Sequence, residues 1–175
     1  TGLKLTDNDS LNASFNYLHA EYDEFLATYP VFCVDAGCDI NGISDLDNAT
    51  PGNQLVDLAG HTPALSPKVV ISAEYDHTFR LGGAGTLTAS IASRYKSSYY
   101  GDFYNWNDSK QDAHTSTDVS LEYKPSNGHF GVTAYVRSIE DERPLTYGSF
   151  ISAGPDDIYN WGYGQPRTYG VRLSV

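Results

Sequence analysis

The sequence predicts an all-β fold, an antiparallel transmembrane β-barrel, and three observations predict it. Segments of alternating apolar and polar residues recur along the chain, as side chains on the two faces of a strand do. Short and long connections alternate between them, short at 6–10, 81–85 and 125–129 and long at 26–64, 101–111 and 138–165. Consecutive antiparallel strands then carry every tight turn at one end and every long loop at the other. The polar face also holds Glu74, Asp76, Arg94, Lys96, Asp118, Glu122, Lys124, Arg137 and Arg172, too many charges for a packed interior. In hydrocarbon every backbone N–H and C=O must be paired, so a spanning sheet closes into a barrel. Its apolar face meets lipid and its polar face lines a wet lumen.

Each strand rests on its own pattern. Leu3 and Leu5 end a first strand before the polar turn Thr6-Asp7-Asn8-Asp9-Ser10. Leu11, Ala13, Phe15 and Tyr17 alternate with Asn12, Ser14 and Asn16, and the phase slips near Leu18–Ala20, as at a bulge. Residues 26–64 read as one long connection. Val69, Ile71, Ala73, Tyr75 and Phe79 oppose Val70, Ser72, Glu74, Asp76 and Thr78. After Gly82-Gly83-Ala84-Gly85, Leu87, Ala89, Ile91 and Tyr95 oppose Thr86, Thr88, Ser90, Arg94 and Lys96. Thr117, Val119, Leu121 and Tyr123 form a fifth apolar face, and Pro125-Ser126-Asn127-Gly128 turns the chain. Phe130, Val132, Ala134 and Val136 come next, and Tyr169, Val171, Leu173 and Val175 share one face of the closing strand. Tyr17, Tyr75, Tyr95, Tyr99, Tyr123 and Tyr169 suit interfacial girdles.

Composition narrows the partners. A net charge of −11 argues against nucleic acid and against docking on an anionic leaflet. No apolar run approaches the ~18 residues of a membrane helix. The chain has no Met and opens in mid-strand, so it reads as a piece of something longer. Cys33 and Cys38 lie close together in the first long loop; they fit a small disulfide-closed loop in an oxidising compartment, or else a pair of unbridged thiols.

Five segments in order carry a resemblance. Phe15-Asn16-Tyr17-Leu18-His19-Ala20-Glu21-Tyr22-Asp23-Glu24-Phe25 resembles a strand near the end of TonB-dependent receptors. Ser66-Pro67-Lys68 before an alternating strand ending in Tyr75 looks like their recurrent strand entry, and Tyr95-Lys96-Ser97-Ser98-Tyr99-Tyr100 with Asp102, Phe103 and Gln111 is similar to one of their hairpins. Val136-Arg137-Ser138-Ile139-Glu140-Asp141-Glu142-Arg143 and Gln165–Ser174 resemble their last two strands. The resemblance implies that residues 1–175 are the C-terminal part of such a barrel, about seven of about twenty-two strands, with long extracellular loops and short periplasmic turns. Plug and N-terminal strands would be absent. It implies an outer-membrane location and uptake of a scarce nutrient of the siderophore, cobalamin or carbohydrate class. Its partners would be outer-membrane lipid, an extracellular small-molecule or glycan ligand, the TonB complex through the missing plug, and the barrel assembly machinery. Ser138-Ile139-Glu140 departs from the family's Asn-Leu-Thr, Pro144 interrupts the segment after it, and Val175 stands where an aromatic residue is usual. Other readings of the strands are a small pore or adhesin barrel, and a secreted β-sandwich that binds carbohydrate.

No catalytic fingerprint is present, and the reading calls for neither enzyme nor cofactor. His19, His61, His77, His114 and His129 show no metal-ligand spacing, and Asp35, Asp39, Asp45, Asp47 and Asp57 lack the spacing of a calcium loop. The candidate ligand contacts are loop residues that mix aromatic surface with hydrogen-bonding groups: Tyr99, Tyr100, Asp102, Phe103, Tyr104 and Trp106 in one loop, Tyr159 and Trp161 in another. Girdle and loop packing is the competing role for the same residues.

Overall fold

The computed structural model describes residues 2–31, 52–152 and 157–175. Among these residues thirteen strands succeed one another: β1 (Gly2–Lys4), β2 (Asp9–Tyr17), β3 (Leu26–Val31), β4 (Gly52–Asp57), β5 (Val69–Arg80), β6 (Thr86–Lys96), β7 (Tyr99–Tyr100), β8 (Lys110–Gln111), β9 (His114–Lys124), β10 (Gly131–Arg137), β11 (Leu145–Ser152), β12 (Asp157–Tyr163) and β13 (Thr168–Ser174). Seven make one sheet in the order β1-β2-β5-β6-β9-β10-β13, and β3-β4, β7-β8 and β11-β12 are separate hairpins. Every neighbour in the large sheet is antiparallel and next in sequence once the hairpins are set aside. The sheet is open, with β1 and β13 at its edges. No helix among the described residues is long and apolar enough to cross a membrane, which says nothing about crossing by strands.

The pairing brings the alternating patterns into rows. Leu3, Leu11, Tyr75, Ile91, Val119, Val136 and Tyr169 stand opposite one another across all seven strands. Phe79, Leu87, Tyr123, Val132 and Leu173 form a second apolar row nearer the short turns. Among the described residues no second layer covers this face: Ile91 is 46% exposed, Leu121 44% and Val171 68%. The opposite face presents Glu74, Asp76, Arg94, Lys96, Asp118 and Glu122, and two surface depressions run along it. Among the described residues the buried hydrophobic side chains are Val56, Leu58, Tyr99, Tyr104, Trp106 and Leu145, all in the long connections. A soluble sheet buries its apolar face against a partner layer. This chain buries its loops.

The connections segregate as the sequence reading expects. Strand ends Tyr17, Lys96 and Arg137 and strand starts Val69, His114 and Thr168 meet at the loop end, and the short turns gather at the other. There Asp9 accepts from the Thr6 hydroxyl and from Tyr75 Oη at 2.6 Å, and lies 2.6 Å from His77 Nδ1. Gly85 closes the next turn at φ 109°, where a Cβ would sit 2.0 Å from the Lys124 carbonyl, so only glycine fits.

Several expectations need correction. The β2–β5 pairing runs unbroken to Tyr17↔Val69, so the phase slip at 18–20 is the end of the strand and not a bulge. Residues 26–64 are not one structureless connection, because Leu26–Val31 and Gly52–Asp57 pair as a hairpin. Tyr75 lies in mid-strand, and Tyr99 turns into the loops, so neither belongs to a girdle at a strand end. At 7 residues each, β10 and β13 fall short of the ~9–11 of a tilted crossing strand. β10 stops where Ser138 turns to φ 52° and its N–H is taken by Asp118 Oδ1 at 3.0 Å. Glu140, one of the departures from the family pattern, supplies the next partner: its Oε2 accepts from the Thr117 N–H at 2.9 Å. Burial works to raise the Glu140 carboxyl, but the Thr117 hydroxyl first, then the N–H groups of Glu140 itself and of Thr117, together hold it below its usual range.

Candidate functional site

The site candidates fall in a layer of loops that pack on one another above the loop end of the sheet. Val56, Leu58, Tyr104 and Trp106 form its core, with Phe25, Ala27 and Phe103 against it. Alternation within β4 and the residue after it turns both Val56 and Leu58 to this core. The rings run as a chain of contacts: Tyr22 to Phe25 at 4.7 Å, Phe25 to Phe103 at 5.4 Å, Phe103 to Tyr104 at 4.5 Å, and Tyr104 stacked on Trp106 at 5.1 Å. Tyr104 Oη donates to the Thr28 carbonyl at 3.0 Å, which ties the β7–β8 loop to the β3–β4 hairpin.

Asn105 clamps the same loop to the segment that follows β4. Its Oδ1 accepts from the Thr62 N–H at 2.8 Å, and its Nδ2 donates to the Thr62 carbonyl at 2.9 Å. The backbone at Asn105 is left-handed, φ 58°, a conformation asparagine tolerates better than most residues. Asp102 is buried beside it, and desolvation pushes its carboxyl above the usual range. The Ser109 hydroxyl and the N–H groups of Tyr104, Asn105 and Trp106 oppose that shift. We expect Asn105→Ala to cost about 1–3 kcal/mol, because it strands both backbone groups of Thr62. Asn105→Gly relieves the backbone but not the pairing, so thermal unfolding of the loop layer should show a loss in both variants. Loss in the alanine variant alone would assign the effect to φ.

The third loop is latched separately. Tyr99 Oη donates to the Leu145 carbonyl at 2.6 Å, and the Leu145 N–H donates to Gln111 Oε1 at 2.7 Å. Burial raises the Tyr99 phenol above its usual range. Within the β11–β12 hairpin the Trp161 ring lies over Gly148, where a Cβ would stand 2.2 Å from Cζ3. No side chain larger than hydrogen fits there without moving the indole.

The candidate contacts thus divide. Tyr99, Asp102, Tyr104 and Trp106 are buried, at most 8% exposed, and their positions are those of loop packing. Tyr100, Phe103 and Trp161 are half-buried, Phe103 against the loop core. Tyr159 lies in β12 opposite Phe150, on the hairpin with Trp161. Tyr169, Val171 and Leu173 face outward on β13, and Val175 lies just past it, exposed. Cys33, Cys38, Asp35, Asp39, Asp45 and Asp47 lie outside the described residues. Among the described residues no group of three His, Cys, Asp or Glu side chains is placed to hold a metal. The sequence reading missed Val56, Leu58 and Leu145 as loop core, although Val56-x-Leu58 alternates within a stretch otherwise acidic and polar.

The fold these elements define is an open section of antiparallel barrel wall. Among solved structures the chain is similar to the ferric yersiniabactin uptake receptor FyuA from Yersinia pestis, with TM-score 0.63 and 14% identity over 98% of this chain and 21% of that one. It is also similar to BauA, the ferric preacinetobactin receptor from Acinetobacter baumannii, with TM-score 0.50 and 17% identity over 98% of this chain and 28% of that one. The chain therefore spans between a fifth and a third of the length of these receptors. At such identities the likeness is one of fold, and in fold it agrees with the resemblance read from the sequence. No protein-family model and no curated protein sequence matches the chain.

Proposed function

We propose that residues 1–175 are the C-terminal part of the barrel of a TonB-dependent outer-membrane receptor, one that takes up a scarce nutrient and does no covalent chemistry. The observation that carries this reading is the uncovered apolar band seven strands wide, on a chain whose core lies in its loops. Water does not tolerate so wide an apolar face, and lipid does. The similar structures are receptors for ferric chelates, which favours a siderophore over cobalamin or a carbohydrate as the cargo class. In this account the buried Tyr99, Asp102, Tyr104 and Trp106 hold the loops. Tyr100, Phe103, Tyr159 and Trp161 are the candidates for touching ligand. The closing strand β13, with Tyr169, Val171, Leu173 and Val175, joins the first strand of the full barrel. A plug elsewhere in the polypeptide meets TonB, and the assembly machinery inserts the whole.

The sandwich reading needs a second layer over Ile71, Ile91 and Leu121, and the described residues place none there. The test is fractionation of the intact polypeptide that contains this chain, with gel migration before and after heating in detergent. The receptor reading expects the outer-membrane fraction and faster migration unheated. A product that leaves the membrane in buffer and migrates alike in both conditions would contradict it.

A further inference from the structure

The charges of the polar face are banded. At its loop end, Arg94 and Lys96 of β6 meet His114 of β9, with Lys96 directly opposite His114 and Arg94 opposite Ser116. Together with Ser116, Ser138 and Gln165 they line a cleft that the base of the β11–β12 hairpin borders. No carboxylate of a described residue lines it, in a chain whose net charge is −11. Arg94, Lys96 and His114 form no ion pair with any described residue. The nearest carboxylates are Glu74 and Asp118, which share the next depression with Arg94, and Asp118 Oδ1 reaches the cleft's border, where it accepts from the Ser138 N–H at 3.0 Å.

The donors the cleft offers are Arg94, Lys96 and two serine hydroxyls. Arg94 Nε already gives one hydrogen bond, to Ser72 Oγ at 3.2 Å, and its guanidinium has others to offer. Lys96 supplies an ammonium, and Ser116 and Ser138 hydroxyls. His114 is 7% exposed, and its Nδ1 lies 3.3 Å from the Asp112 carbonyl. That nitrogen is turned to its own segment, so His114 shapes the cleft wall and is not counted among its donors. A protein this acidic repels anions at long range, and a small anion is held only where cations converge locally.

We propose that this cleft is an anion subsite at the mouth of the lumen, which takes the carboxylate or similar anionic oxygens of a chelate. The inference deepens the receptor reading and rests on it. Arg94 would bind such a group through paired N–H donors, Lys96 as a point charge, and the serine hydroxyls would fix its orientation.

Citrate is the probe, titrated calorimetrically into the intact receptor in detergent at low salt. The wild type should bind it saturably, and added salt should weaken the binding. Arg94→Gln with Lys96→Gln should weaken it at least about tenfold, since a hydrogen bond to a charged group carries about one decade or more of affinity. Arg94→Lys with Lys96→Arg keeps both charges and should retain most of it. Ser116→Asp puts a carboxylate into the cleft and should abolish it, which keeps the question answerable if the double glutamine variant does not fold. Absence of citrate binding in the wild type, as when carboxylates from elsewhere in the polypeptide already occupy the cations, overturns the proposal. Binding unchanged in the glutamine and aspartate variants does the same. Either result leaves the receptor reading standing, because that depends on fractionation and heat-modifiability instead.

Discussion

On the proposed receptor reading, Ile91→Arg is expected to stop the intact polypeptide that contains this chain from reaching the outer membrane in folded form, while Ser90→Arg one residue away leaves assembly nearly unchanged. Ile91 is the central residue of the 11-residue β6, lies in the apolar row that crosses all seven strands, and is exposed on that face. An arginine on the lipid face at mid-depth costs about 2–4 kcal/mol, falling toward zero at the interfaces. Ser90 stands on the other face, between Asp76 and Ser120, where a guanidinium meets water and a carboxylate. Placing the same substitution on adjacent residues cancels general effects on strand propensity. The readout is the heat-modifiable fraction in outer membranes. Equal losses at 90 and 91 would mean that the two faces do not differ in solvent.

Trp106→Ala should loosen the loop layer without unfolding the barrel. Trp106 is 3% exposed, stacked on Tyr104, and in contact with the cluster that includes Val56 and Leu58. Truncating a buried tryptophan costs about 3–5 kcal/mol. The loops and the sheet are separate packing units, so the loss should appear as local opening. Lys110, exposed at the end of this loop, offers a natural reporter. On intact cells trypsin should cut after Lys110 at least about tenfold faster in the variant, by the population of the open state. Heat-modifiable migration of the uncut protein should stay as it was. Ligand binding lost with no change in cleavage would instead make Trp106 a contact residue and remove it from the core of the loops.

The sheet was legible in the sequence because each strand repeats one instruction. Val69, Ile71, Ala73 and Tyr75 say the same thing as Leu87, Ala89 and Ile91, and the pairing sets them side by side. Turn residues such as Gly85 and the Pro125–Gly128 segment fix where the instruction pauses. The loops gave less. Their core is assembled from Val56, Leu58, Tyr104, Trp106 and Leu145, residues far apart in sequence and without a shared period. Aromatic residues crowded in a loop read equally well as ligand contacts and as packing, and only the fold shows that Tyr104 and Trp106 are enclosed while Phe103 and Trp161 are half-buried. The basic cleft was invisible for a related reason. Arg94 and Lys96 were two charges among nine on the polar face, and His114 one of five scattered histidines, until β6 and β9 paired.

The solvent seen by alternate residues of β6 is the most direct measure of the account. With Cys33 and Cys38 replaced by serine, single cysteines at positions 87–95 of the intact polypeptide in lipid vesicles can each carry a nitroxide. Collisions with oxygen, which concentrates in hydrocarbon, should peak at positions 87, 89, 91, 93 and 95. Collisions with a water-soluble nickel chelate should peak at positions 88, 90, 92 and 94. The same period with the two reagents exchanged, or no period at all, would contradict the assignment of the apolar face to lipid.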